Sequence, residues 1–163
     1  MTQRANQFSN CVRASSGVPI LFEMIPPLAS TGDETLQGWV DRLVSGLSDL
    51  PITAVNIPEV RDEQHREGER TYRYKGKMEP RVCGRQLQEA FPGGIDTVIN
   101  RVVVHEPVDE QRTGLLEGHR DWGVRNLVLV GGESPEIRYP GPSVTEAATL
   151  ITEELNSTLS EAE

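Results

Sequence analysis

Four short apolar runs, each followed by a stretch of helical periodicity, constrain this chain more than any other feature. Residues 18–25 are apolar apart from one acid, Glu23, and the run stops at Pro26 and Pro27. Thr31-Gly-Asp-Glu34 then reads as a capping box. It is followed by Leu36, Val40, Leu43, Val44 and Leu47, which fall on one helical face. A second run, 52–57, is closed by Pro58. Pro80 suits the first turn of a second helix, with Val82, Leu87, Ala90 and Phe91 inward and Pro92-Gly-Gly94 ending it. The third run, 97–104, is rich in valine and isoleucine. Asp109 is placed to cap a third helix carrying Leu115, Leu116 and Trp122, which Gly123 ends. The fourth run, 126–130, leads into Gly131 and Gly132. Ser143-Val-Thr-Glu146 is another capping box, opening a helix with Val144, Ala147, Ala148, Ile151 and Leu155 inward.

Strands apolar on both faces and separated by amphipathic helices predict a single α/β domain over residues 1–163. It has a parallel sheet of about four βα units. Two architectures satisfy that pattern: an open doubly wound sheet, or half of a (β/α)8 barrel. No GxGxxG follows the first strand, so a dinucleotide fingerprint is absent. A whole barrel takes about 200 residues or more, and the chain has 163. The formal charge of −9 argues against nucleic-acid partners and against adhesion to anionic membranes. No apolar run approaches the roughly 18 residues of a membrane span, and residues 1–17 lack a signal-peptide core. Two cysteines without CxxC spacing fit reduced thiols, so a cytoplasmic setting is expected.

Residues 61–77 break the rhythm. They are highly charged and follow the second strand, where barrel loops carry function. The segment reads either as a solvated loop or as a ligand loop, with Arg61, Arg70, Arg73, Lys75 and Lys77 as anion contacts. Ligands of parallel α/β folds lie at the carboxyl ends of the strands. Here those ends carry Glu23, then Asn56 with Glu59, then residues 100–105, then Gly131-Gly-Glu133. A carboxylate within an apolar strand is costly to bury unless paired or neutral. Burial would favour its protonated form, as a general acid working near neutrality requires. The alternative for Glu23 is a structural carboxylate bonded to neighbouring backbone or arginine.

Leu21-Phe-Glu-Met-Ile-Pro-Pro27 resembles the FE-x-x-PP first strand of the methylenetetrahydrofolate reductase family. Gly123-Val-Arg-Asn-Leu-Val-Leu-Val-Gly-Gly-Glu133 resembles that family's fourth strand, GI-x-N-x-LALRGD. The likeness runs from about residue 8 to 155 and covers the amino-terminal half of the family's barrel. It implies catalytic roles for Glu23, as the acid that activates the folate, and for Glu133, beside the pterin and flavin. It implies cofactor contacts from Asn56, Asn100, Gly131, Gly132, Ser143 and Thr145. It also implies FAD as cofactor, with NAD(P)H as electron donor. Departures accompany it. Glu133 stands where the family has aspartate, Gly131 where it has arginine, and the third-strand HLTC is replaced by Asn100, Arg101 or His105.

The implied activity is oxidoreduction between methylene- and methyltetrahydrofolate, in one-carbon metabolism and methionine biosynthesis. The alternative is a non-catalytic half-barrel that binds a partner or a pterin. Four strands alone would leave two sheet edges exposed, which a homodimer or a second-half subunit would cover. A third reading is an open domain in which Glu23 is structural. His65, His105 and His119 share no metal-ligand spacing, and Cys83 fits helix packing better than nucleophilic chemistry. Trp39 and Trp122 fit helix–sheet packing, and His119 is placed on an exposed helix side.

Overall fold

A computed structural model describes residues 5–14, 17–62, 74–132 and 137–160. The described residues form a four-stranded, all-parallel sheet in the order β1-β2-β3-β4. The strands are β1 (Leu21–Glu23), β2 (Ala54–Pro58), β3 (Asp96–Val102) and β4 (Asn126–Val130). The helices are α1 (Gln7–Ala14), α2 (Asp33–Leu47), α3 (Pro80–Ala90), α4 (Val108–Trp122) and α5 (Val144–Thr149). A π-helical turn (Leu150–Leu155) and α6 (Asn156–Ser160) continue directly from α5. The fold is therefore a parallel βα repeat of the half-barrel kind. A doubly wound sheet would reverse its strand order at a switch point, and this one does not.

Side-chain alternation along the strands separates two faces. Val55, Ile57 and Ile99 point to the helices, where Gly84 of α3 lets Ile57, Thr97 and Ile99 approach. With Val40, Leu47, Cys83, Leu87 and Val124 they make the main core, and Phe22, Trp39, Trp122 and Leu127 pack on its rim. Successive helices touch in order, α2 on α3 and α3 on α4, with α4 against the π-helical turn. The other face carries Leu21, Glu23, Asn56, Val98, Asn100, Val128 and Val130. At the sheet margins it is bare: Leu21 is 44% exposed and Val128 46%.

The local signals divide instructively. The Ser143–Glu146 capping box forms in both directions, and Gly123 ends α4 with φ of 66°, the left-handed conformation glycine adopts without strain. Pro80 opens α3. The Thr31–Glu34 box does not form: α2 starts one residue later on Gly32, with no side-chain cap, and Asp33 and Glu34 favour it through the helix dipole alone. Asp109 does not cap α4, because Pro107 is the N-cap residue and Asp109 instead pairs with Arg112 at 2.8 Å.

The first run of 18–25 yields only three strand residues, since Pro19, Pro26 and Pro27 cannot donate to a ladder. In the last helix the inward set is Ala147, Leu150 and Leu155; Val144 is exposed and Ile151 half-buried. The π-helical turn causes this shift, because an i to i+5 spacing brings Leu150 and Leu155 onto one side.

Helix α1 was not foreshadowed by the polar amino-terminal sequence. It sits at the amino ends of β3 and β4, where Asp96 accepts from the Phe8 N–H at 2.9 Å and from Arg125 at 3.0 Å. Asn6 donates to Asn126 Oδ1 at 2.8 Å. Among the described residues no helix is long and apolar enough to cross a membrane.

Cys83 is fully buried, and desolvation pushes its thiol from 9.0 up to about 11. The native state thus holds the thiol proton where the unfolded chain releases it. Its contribution to stability is complete below pH 9 and declines as pH rises toward 11. Thiol alkylation followed by mass spectrometry at pH 8 should modify Cys11 in native protein and Cys83 only after denaturation. Equal rates at both would contradict this packing.

Candidate functional site

The strand register explains which predicted site residues meet. Glu23 of β1 lies opposite Asn56 of β2, on the same face. Asn56 Nδ2 donates to Glu23 Oε2 at 2.8 Å, orienting the carboxylate and leaving Oε1 for another donor or proton. Glu23 is exposed on the bare face, so the burial expected for it in the strand is not supplied by this chain. Asn100 lies farther toward the carboxyl ends, beside Pro58 and Val128. Its Oδ1 is buried without a hydrogen-bond donor, which is an unsatisfied acceptor and costly to leave so.

Gly131, Gly132 and Ser143 assemble separately. With Val104, Tyr139 and Glu146 they line a depression of about 570 Å³ beyond β4. Thr145 stands exposed on α5, outside that lining. Glu133 lies outside the described residues, as do Arg70 and Arg73. The Tyr139 ring packs on Gly132 so tightly that any side chain there would collide with it. His105 stacks on the Tyr139 ring, with centroids 5.6 Å apart and planes 7° from parallel. Gly141 threads against the backbone of Val103, Val104 and Glu106, which again leaves no room for a Cβ.

A flavin diphosphate fits this depression poorly. The Ser143 N–H and hydroxyl both bind Glu146 Oε2 at 2.8 Å. Those bonds hold the Glu146 carboxyl below the usual carboxylate range. The helix start that would receive a phosphate therefore already holds an anion of the chain's own, and among the described residues the lining offers no compensating cation. The described residues do not fit the group.

Glu59 and Arg101, the other strand-end candidates, turn away to the helix side. Glu59 Oε1 accepts from Arg101 at 2.9 Å and from Arg61 at 2.8 Å, while Oε2 accepts from the Val102 N–H at 2.8 Å. Glu106 closes the ring, meeting Arg61 and Arg101 at 2.7 Å each. Gln111 of α4 accepts from Arg101 Nε at 3.2 Å and donates to the Val102 carbonyl at 3.3 Å. Arg61, one of the anion contacts the ligand-loop reading offered, is thus engaged in ion pairs at the root of the charged segment. The signal was available: Glu59 and Arg101 both occupy helix-facing positions in the period-2 alternation, one place beyond the Pro58–Asn100 pair. His119 is half-buried instead of exposed, and its Nδ1 lies 3.2 Å from the Val124 carbonyl. A carbonyl only accepts, so Nδ1 carries the proton.

At the far end of the charged segment, Lys77 bridges Leu28 in antiparallel fashion, and Tyr74 donates to the Val60 carbonyl at 2.9 Å. Residues 63–73 lie outside the described residues. Among the described residues no three His, Cys, Asp or Glu side chains converge on a metal position. No protein-family model matches the sequence, and no curated protein matches it. Function must be argued from the geometry.

Glu59 is 5% exposed and Arg101 10%, so Glu59→Gln strips a buried network of its central charge. Breaking such a pair from one side costs about 3–5 kcal/mol, and urea denaturation should read a loss of that order. Burial alone would push the Glu106 carboxyl up. The Arg61 hydrogen bond and the charges of Arg101 and Arg61 outweigh it and hold that carboxyl below 4.5. Its stabilisation is therefore present above pH 4.5 and lost as pH falls through the native value. A stability–pH profile of Glu106→Gln should be flatter than wild type below pH 4.5. Parallel profiles would show that the ring contributes nothing.

Proposed function

We propose that this chain is a half-barrel relative of the methylenetetrahydrofolate reductases that binds a folate-type heterocycle at the carboxyl ends of its strands. The observation that carries this reading is the Glu23–Asn56 pair: a carboxylate oriented by an amide, on the bare sheet face, at the strand ends. Its position suits a proton donor to a bridged heterocycle once a second half of the barrel buries the face. The resemblance of residues 21–27 and 123–133 to that family points the same way.

In this reading Glu23 protonates N10 of methylenetetrahydrofolate, the N10–methylene bond breaks, and an iminium forms at N5. A nicotinamide, when bound, would supply the hydride that reduces the methylene carbon to methyl, and the Glu23 carboxylate left behind would be reprotonated from water. Direct transfer from the nicotinamide is favoured because the depression at Gly131, Gly132 and Ser143 does not fit a flavin diphosphate. Asn56 positions Glu23.

The bare face gives the reading its second requirement. Leu21 and Val128 are exposed on it, and β1 and β4 are edge strands. A second copy would supply four more strands and close a barrel of eight, and a separate second-half subunit would serve equally. The same bare face favours the other reading, a half-barrel that binds ligand or partner without turnover.

Titration of the protein with methyltetrahydrofolate, NADPH and FAD, each alone, tests the proposal alongside its mass by light scattering. Binding of the folate and the nicotinamide by a species of about twice 18.0 kDa is expected. Glu23→Gln should then lower turnover about 10²–10⁴-fold while leaving the circular dichroism unchanged. Folate binding without turnover would select the second reading. A monomer that binds none of the three would sink both.

A further inference from the structure

We propose that the helix side of the sheet carries a separate binding site for a small amphipathic carboxylate, in a cavity of about 380 Å³ between α4, the π-helical turn and strands β3 and β4. It lies on the opposite side of the sheet from Glu23 and does not depend on the folate reading.

The cavity is far larger than the voids of a packed interior, few of which exceed a water molecule. Its volume falls in the range of about 300–1,000 Å³ typical of ligand pockets. Ile99 and Leu127 form its sheet side, Leu115 belongs to α4, and Ile151 and Leu155 come from the π-helical turn. Water gains few partners on such walls, so an apolar body is the better occupant. The π-helical turn is part of the construction: its widened spacing buries Leu150 and Leu155 while Ile151 and Leu155 border the cavity.

Charge sets the orientation of the occupant. At the carboxyl end of the strands the cations are already matched, Arg101 by Glu59 and Glu106, and Arg81 by Glu79 at 2.9 Å. At the amino end the lining is Arg13, His119 and Arg125. Arg125 shares Asp96 with the Phe8 N–H, whereas Arg13 makes no ion pair among the described residues. His119 spends Nδ1 on the Val124 carbonyl and keeps Nε2. In a chain of net charge −9, Arg13 at this end is thus a cation without an ion pair among the described residues. An apolar body along Ile99, Leu115 and Leu127 would place a carboxylate there, where arginine recognises it well.

Isothermal titration of the full chain with octanoate, 1-octanol and acetate separates body from head. Octanoate should bind at millimolar concentrations or below, and at least about tenfold more tightly than either of the others. Leu115→Trp fills the cavity and should weaken octanoate at least about tenfold with Tm unchanged or raised. If that variant does not fold, Ile151→Phe narrows the site from the opposite wall and should act in the same direction. Arg13→Gln should weaken octanoate but not octanol. In amide NMR spectra, octanoate should shift residues of α4 and the π-helical turn. No binding of octanoate, equal binding by the cavity-filling variant, or shifts confined to Glu23 and Asn56 would each overturn the proposal.

Discussion

The structure depends on one topological constraint: four parallel strands laid down in chain order, with every crossover returning on the same side. Crossovers in parallel sheets have a single hand. With no reversal of strand order, that hand places α2, α3, α4 and the α5 unit in one layer. One face of the sheet becomes a core and the other a surface of mixed character. Both ends of the sheet stay available as edges. The half-barrel character, the exposure of Leu21 and Val128, and the place of the Glu23–Asn56 pair all follow from this.

The helix side is held by more than apolar burial. Glu59 ties β2 to β3 through Arg101 and the Val102 N–H, and Glu106 carries the tie into the segment before α4. The cluster sits where the sheet's carboxyl end meets the helix layer, and buried charges persist there only because each has partners. At the opposite end Asp96 does similar work, linking α1 and β4 to the start of β3. These two polar anchors bracket the apolar core of Val55, Ile57, Leu87 and Ile99.

Most of the strand–helix alternation could be read from the residues, because burial on both faces imposes continuous apolar runs and helices impose their own period. Asn126–Val130 was recognisable to the residue, and so were Pro80 and the Ser143 box, since each is a local device whose partners lie within a few positions. The failures are equally local in kind. Thr31 and Asp109 have the right chemistry for caps, but a helix start is chosen by the geometry of the incoming turn. Helix α1 carries little apolar signal of its own and is ordered by Asp96 and Asn126, about ninety or more residues away in sequence.

For the candidate site, the sequence alone placed Glu23 and Asn56 at the carboxyl ends of their strands, because the apolar runs fix where each strand stops; the register of β1 on β2 put them on one face. The sequence also determined that Gly131, Gly132 and Ser143 follow the fourth strand. Tertiary structure decided the rest. It separated the Glu23–Asn56 pair from the glycine depression, closed the latter with Tyr139 and Glu146, and turned Glu59, Arg61 and Arg101 into a mutual clamp. A sequence gives residue types and spacings. Whether a charge is spent on a neighbour or kept for a ligand depends on which distant strand and helix bring that neighbour within hydrogen-bonding distance, and only the folded chain decides that.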